Sequence, residues 1–488
     1  MSWTEERLKE ILKWQNNNKF ENFIDEDKLH TIIEKTKNPT SKQVNDVLSL
    51  AKDNAKTGKM LSLEDTAILL NSKDMLNEIC TVSKFIKKEV YGNRIVLFSP
   101  LYVSSPCVNS CKYCGFSSKN TSLHKKILKE DELDAEIEAL LDMGQKRLIA
   151  VFGEHPKSDA NFIAKCTKQI YAYKKNGANI RRININAAPM FEDEYKIIKN
   201  EGIGTYQIFQ ETYHKHTYEM FHPKGTLKGE YDWRVFGLHR AMNAGIDDVG
   251  IGVLFGLYDY RFEVLSLLSH AYSLEKYFGV GPHTISFPRI KRTSNTNTKI
   301  FPNAINDEDF IKIVAIIRIM CPFTGTILTA REDSDLRDIM IEKCGISQAD
   351  CGTNIGIGGY STRNTINHLE NQQFEIGDQR SIDEFILALI RSGKIPSFCT
   401  SCYREGRTGC NFMPLAKSAK IKHLCIPNAL LTFKEYLRDY ASVDVKSIAD
   451  SEIIPKYLLL LEENLPNVAK KVDNLLKEVD DGRSDCHL

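Results

Sequence analysis

The chain has no surplus of either charge. Its 65 Lys and Arg stand against 64 Asp and Glu, a formal net charge of +1. That balance removes the usual reason to expect a nucleic acid or an anionic membrane as partner. No long apolar run is present either; nothing approaches the roughly 18 residues that a spanning helix needs. The opening stretch MSWTEERLKEILKWQNNN has acids and no long apolar core, so it reads as an amphipathic helix rather than a signal or transit peptide. What the chain does not lack is cysteine, with 13 in 488 residues. Without a secretion signal these point to a reducing compartment, where thiols serve metals and catalysis rather than disulfides. The expectation is an oxygen-sensitive cytoplasmic protein with no nucleic-acid or membrane partner.

Three of the cysteines fall together. Cys107, Cys111 and Cys114 stand in SSPCVNSCKYCGF with the spacing C-x3-C-x2-C. Three thiolates so placed can each hold one iron of a [4Fe-4S] cubane and leave the fourth iron without a protein ligand. An open iron coordinates something else, so such a cluster is set up for chemistry. A zinc site is the alternative, but zinc takes four ligands, often as two C-x2-C pairs, and no fourth partner lies nearby.

A chain of this length holds one large domain with extensions, or two to three domains. Residues 1–90 read as helical, with apolar spacing of i, i+3, i+4 and N-cap signals at Thr40/Ser41 and Ser62. From about residue 94, short β-branched runs alternate with helical stretches such as 130–142 and 162–175. The runs are 94–103, 147–153, 180–187, 204–210, 247–255, 283–288, 325–330 and 353–358. Alternation of this kind predicts a parallel sheet with right-handed crossovers, and eight units predict a closed (β/α)8 TIM-like barrel. A six-strand partial barrel is the competitor. In a barrel, chemistry gathers where strands end. The cysteine triad follows the first run, Gly153-Glu154-His155-Pro156 follows the second, and Asn184 and Asn186 lie in the third. Gln210-Glu211 ends the fourth, His283 starts the sixth and Arg331-Glu332 follows the seventh.

After about residue 385 the alternation stops and a helical tail begins. It carries Cys399 and Cys402 as a C-x2-C, followed by Cys425 after 22 intervening residues. A thioredoxin-like pair would need a βαβ context that is missing here. A second iron–sulfur cluster and a zinc site both remain, the latter with Cys410 or His423 available as a fourth ligand. The expected organisation is a helical extension over 1–90, the barrel over 91–384 and a helical iron–sulfur domain over 385–488.

The first triad, with Tyr113 before its last cysteine, resembles the signature of the radical S-adenosylmethionine (SAM) superfamily. Together with C-x2-C-x22-C it resembles more narrowly the ThiH/HydG family of radical SAM tyrosine lyases. The HydG branch matures [FeFe]-hydrogenase. NINAAPMF, YQIFQETYH, GLYDYRFEVL, GVGPHTISFPR and CTSCYREGRTG all read like that branch, over about residues 90–440. ThiH, which feeds thiazole synthesis, shares the barrel and first triad without the second cysteine set.

The resemblance implies SAM on the open iron, a one-electron reductant, and L-tyrosine cleaved at Cα–Cβ to p-cresol and a dehydroglycine fragment. That fragment would become CO and cyanide at a second cluster carrying an extra iron bridged through free cysteine, destined for other hydrogenase maturases. It also implies roles for individual residues. Cys107, Cys111 and Cys114 would hold the SAM cluster, and Cys399, Cys402 and Cys425 the auxiliary one. Glu154 would accept from the SAM amino group; an N-cap acid is the plainer account of it. Tyr113 and Phe116 would shape the adenine pocket and Asn184 would help bind the cofactor, with core packing as the plainer account of the two aromatics. Gln210 and Glu211 would line the site. Arg331 would clamp the tyrosine carboxylate with paired N–H donors, a surface arginine being the alternative. His283 would support the extra iron, against an ordinary core histidine. A lyase for another pathway and a non-enzymatic iron–sulfur carrier are the competing functions. A carrier needs no substrate clamp, which speaks against the last.

Overall fold

A computed structural model describes residues 2–294, 300–362 and 371–488. The sheet is built around β1 (Arg94–Ser104), whose sequence RIVLFSPLYVS is buried from end to end. Such a mostly apolar run, with Arg94 at its start and Ser99 and Ser104 also buried, suits a strand covered on both faces. Seven parallel strands follow: β2 (Arg147–Phe152), β3 (Arg182–Asn186), β4 (Tyr206–Gln207), β5 (Val249–Gly252), β6 (Thr284–Ser286), β7 (Gly325–Leu328) and β8 (Gln348–Asp350). Each pairs with the next, and β8 returns to β1 through Val96↔Gln348, Leu97↔Ala349 and Phe98↔Asp350. The barrel is closed, as the alternation predicts, and the six-strand form is excluded. A further strand, β9 (Ile395–Ser397), pairs with the start of β1, setting Arg94 opposite Ile395. The strand pattern therefore runs beyond residue 385.

One strand differs from the sequence reading. The eighth is Gln348–Asp350, and 353–358 is loop. Gln348 and Asp350 line cavities inside the barrel, so a true strand reads as polar. The alternation in 353–358 is a glycine-rich turn. There the Asn354 side chain accepts the Gly356 N–H at 2.9 Å and donates to the Gly359 carbonyl at 3.0 Å.

Helices Glu130–Asp142 and Ala160–Ala172 pack outside the first strands. The second ends before Lys174–Lys175, which turns into a two-stranded hairpin with Ala178–Asn179. Five helices precede the barrel, and Thr40 and Ser62 cap the third and fourth of them as expected. Helix Leu76–Tyr91 packs on helix Asp307–Met320. This second layer explains why Asp307–Met320 is apolar over most of its circumference. After β9, helices Gly409–Lys417 and Lys422–Asp439 lead into a C-terminal helical group. Among the described residues, no helix is long and apolar enough to cross a membrane.

Candidate active site

Side chains on a strand alternate, so each barrel strand sends every second residue inward. On β1 these are Arg94 and Val96 at its start, then Phe98, Pro100 and Tyr102. On β2 they are Arg147, then Ile149 and Val151. The early members line one cavity and the later members another. The two cavities lie at opposite ends of the same barrel, and the cluster of Phe98, Ile149 and Ile327 forms an apolar layer in the interior.

The upper cavity, about 210 Å³, lies at the strand C-termini and is lined by Cys107, Cys111 and Cys114. The loop that carries them is held from several sides. Asn109 donates to Glu154 Oε2 at 2.5 Å and to Cys107 Sγ at 3.6 Å, while its Oδ1 accepts the Lys228 N–H at 2.8 Å. Gln373 donates to Cys114 Sγ at 3.3 Å. Gly153 allows the β2 loop to approach closely, because a Cβ there would lie 2.2 Å from the Pro106 carbonyl. Burial pushes the Cys111 thiol up to about 12, with Lys228 opposing, and raises Cys107 as well. Thiols this buried stay protonated unless a cation claims them, and a coordinated metal does so outright. The donor set therefore fits a metal cluster. Among the described residues no three His, Cys, Asp or Glu are placed for a single ion. A cubane instead takes one thiolate per iron.

Glu154 also lines this cavity, and burial raises its carboxyl against the pull of Asn109. It is not a helix cap; His155 caps the short turn Pro156–Ser158 and Asp159 caps Ala160–Ala172. Tyr113 and Phe116 form walls. Tyr113 Oη lies 2.6 Å from His222 Nε2, and Phe116 packs edge-on against Tyr102. Arg331 is in the lining rather than on the surface. Its neighbour Glu332 is engaged by Arg289 and by Lys291 at 2.9 Å. Glu211 has a left-handed backbone, φ 71°, and its carboxylate meets Lys228 at 2.8 Å and Arg234 at 3.6 Å. Burial alone would raise its pKa. The two cations outweigh it and hold the group below the ordinary carboxylate value.

Two predicted residues are not brought to this cavity. Gln210 faces away, because Gln207, Phe209 and Glu211 take the inward positions; its side-chain amide is buried, and neither of its polar atoms has a partner among the described residues. Asn184 lies deeper in the barrel than Asn186, which does line the cavity. Its Oδ1 accepts the Thr205 N–H at 3.0 Å and so ties β3 to the β4 approach. The sequence reading passed over Asn109, Lys228, Arg234 and Asp350. Asn109 had the one available signal, its place inside the cysteine motif.

The lower cavity, about 60 Å³, lies at the strand N-termini and is lined by Cys399, Cys402, Cys425 and His283 with Arg94, Arg147 and Tyr403. Cys410 is exposed and absent from the lining, as is His423, so neither supplies the fourth ligand that the sequence offered to zinc. Among the described residues no three His, Cys, Asp or Glu stand close enough for a single ion, His283 with these thiols included. Pairing of β9 with β1 delivers Cys399 here, and Arg147 holds the turn by donating to its carbonyl at 2.6 Å. Burial pushes Cys402 up to about 12, with Cys425 and Cys399 adding to the shift. By the same argument as above, this triad fits a second cluster. Burial, aided by Arg147, Arg182 and Arg94 and opposed by Asp248, lowers the His283 pKa, so its ring is neutral and able to ligate.

Comparison with known proteins agrees with this geometry. Residues 101–268 match the model of the radical SAM superfamily, and 286–395 match the Biotin and Thiamin Synthesis associated domain. A crystal structure of HydG, a maturase of the [FeFe]-hydrogenase, is 43% identical with a TM-score of 0.91, covering 96% of this chain and 100% of that one. The FeFe-hydrogenase maturase HydG from Carboxydothermus hydrogenoformans is 35% identical with a TM-score of 0.74, covering 92% and 99%. The 2-iminoacetate synthase of Escherichia coli (strain K12) is 29% identical over 349 residues, 70% of this chain and 88% of that protein.

Proposed function

Because the chain belongs to the family of HydG, a maturase of the [FeFe]-hydrogenase, we propose that it is a radical SAM lyase acting on L-tyrosine. It breaks the Cα–Cβ bond, releases p-cresol, and turns the dehydroglycine fragment into CO and cyanide for the hydrogenase active site. The observation that carries this reading is the placing of two thiol triads at opposite ends of one barrel, the upper one opening on the larger cavity.

When bound at Cys107, Cys111 and Cys114, a [4Fe-4S] cluster with SAM supplies one-electron reduction and hydrogen-atom abstraction, which no side chain provides. The remaining tasks belong to the chain. Arg331 receives the tyrosine carboxylate through its paired N–H groups. Glu154 accepts from the SAM amino group, and Tyr113 and Phe116 flank the nucleoside. Glu211, kept ionised by Lys228 and Arg234, presents fixed negative charge to the substrate side. The apolar walls exclude water.

At the other end, Cys399, Cys402 and Cys425 would hold an auxiliary iron–sulfur cluster, and His283 would be the protein ligand for an extra iron supplied with free cysteine. Formation of CO and cyanide is assigned to this end, with other hydrogenase maturases as recipients. Residues 1–90, 91–384 and 385–488 serve as outer wrap, catalytic barrel and auxiliary-cluster unit. Iron and sulfide analysis of anaerobically reconstituted protein tests the reading. Two clusters per chain are expected, falling to one when Cys399 and Cys402 are replaced by Ser. An unchanged count after that replacement overturns it.

A further inference from the structure

Asp248 is a buried carboxylate that meets no lysine or arginine as an ion pair among the described residues; its one ionic neighbour is His283. Leaving a buried carboxylate without a cation is costly, and the chain bears that cost at the edge of the lower cavity. We propose that Asp248 is a positioning residue of the lower centre, turning the His283 imidazole so that Nδ1 faces the carboxylate and Nε2 faces the three thiols. This rests on the reading of that centre given above.

The backbone sets the relationship. Asp248 stands just before β5 and His283 just before β6, two strands in register at Gly250↔Thr284. The His283 N–H donates to the Val249 carbonyl at 2.8 Å, so the two side chains leave adjacent points of one ladder. Asp248 Oδ1 lies 3.4 Å from His283 Nδ1. Neither Nδ1 nor Asp248 Oδ2 has a hydrogen-bond partner among the described residues. The opposite nitrogen, Nε2, is 3.3 Å from the Tyr403 hydroxyl, inside the cavity. A neutral imidazole with its proton on Nδ1 then has its lone pair on Nε2. A metal on that lone pair would make the Nδ1 proton more acidic and would draw it toward the carboxylate 3.4 Å away.

The same carboxylate also reaches the cysteine-bearing tail. Asp248 Oδ1 accepts the Gly409 N–H at 3.1 Å, and the neighbouring Asp247 accepts from Thr408 Oγ1 at 3.1 Å. Gly409 is left-handed, φ 47°, and a Cβ on it would sit 2.8 Å from the Asp247 Cβ. The Asp247-Asp248 pair thus grips the segment following Cys399 and Cys402 while facing His283. Without Asp248, no carboxylate among the described residues distinguishes the two ring orientations, and a half-turn would present Nδ1 to the thiols. A carboxylate behind a metal-ligating imidazole is the usual way to settle that choice, and its loss typically weakens metal binding 10–100-fold.

The test uses full-length protein in which Cys107, Cys111 and Cys114 are Ala, so that only the lower cluster is present. Fe(II) with L-cysteine is titrated anaerobically, and uptake is followed by the EPR spectrum of the reduced lower cluster. His283→Ala should abolish the spectral change, and Asp248→Asn should shift its midpoint about 10–100-fold to higher Fe(II). Asn keeps an oxygen for the Gly409 N–H but offers Nδ1–H no second acceptor. Asp248→Glu should recover part of the loss. Thr408→Ala, which loosens the tail without touching His283, should leave the midpoint unchanged. A normal titration in His283→Ala overturns the reading of the lower centre itself. A lost change in His283→Ala beside a normal midpoint in Asp248→Asn overturns the role of Asp248 alone. An equal shift in Thr408→Ala makes that role merely structural and also overturns it.

Discussion

The guanidinium of Arg331 lies over the Phe374 ring, 3.4 Å from its centroid, and forms no ion pair among the described residues. Burial lowers its pKa, the mark of a cation held away from water, with Tyr102 and Glu211 opposing. A cavity-lining cation kept flat by an aromatic ring and left without a carboxylate is arranged to receive an anion from outside. Arg331→Ala should weaken tyrosine binding by about 2–5 kcal/mol, roughly thirty-fold to several thousand-fold. SAM binding should be retained. Calorimetric titration with tyrosine checks this, and unchanged affinity would make Arg331 a structural residue.

Removing one thiol from the upper triad should end the chemistry at that end. Cys111→Ala leaves two thiolates for a cluster that needs three, and Cys111 is the most deeply buried of them. Formation of 5′-deoxyadenosine under reducing conditions should disappear, with iron content falling by one cluster. Near-normal 5′-deoxyadenosine would remove the basis of the functional reading.

The grouping of the cysteines was legible because motif spacing marks which thiols belong together, and each triad lines one cavity; the barrel was legible because strand and helix periods differ. What stayed hidden was side-chain direction. Gln210 stands one residue from Glu211, yet period-two alternation turns it away from the cavity that Gln207 lines. Asn184 has the same parity as Asn186 and differs only in depth. Strand β8 escaped because a barrel that keeps polar residues inside breaks the apolar pattern by which strands are recognised. Lys228 and Arg234 come from the segment between β4 and β5, and only the folded chain brings them to Glu211.

A buried carboxyl behind the Glu211 turn makes stability depend on pH. Glu263 accepts from Thr212 Oγ1 and from the Tyr213 N–H at 2.9 Å, and burial raises its pKa to about 8. Between the ordinary value near 4.5 and about 8, the folded chain holds a proton that the unfolded chain has released. Stability from this group is therefore full below about pH 4.5 and is lost as pH rises toward 8, by a few kcal/mol. Glu263→Gln, which mimics the protonated form, should flatten that slope. Denaturant midpoints at pH 6 and pH 8 for both proteins provide the check; parallel slopes would place the titration elsewhere.

The remaining prediction turns on the distance between the two ends of the barrel. Tyrosine cleavage needs the radical chemistry and a positioned substrate, and every residue assigned to those tasks lines the upper cavity: Cys107, Cys111, Cys114, Glu154 and Arg331. Conversion of the fragment is assigned to the lower cavity, lined by Cys399, Cys402, Cys425 and His283. The double change Cys399→Ser, Cys402→Ser should accordingly still release p-cresol, at a reduced rate, while CO disappears. The two mutated positions share no lining residue with the upper site, so a direct effect on substrate binding is not expected. Arg147 is the main route for an indirect one, since it donates to the Cys399 carbonyl from the start of β2, the strand whose far end leads to Glu154. Chromatography of p-cresol beside CO trapped on deoxyhaemoglobin, in one reaction, measures both products. Equal loss of the two would make the tail a structural support for the barrel, and undiminished CO would move its formation out of the lower cavity.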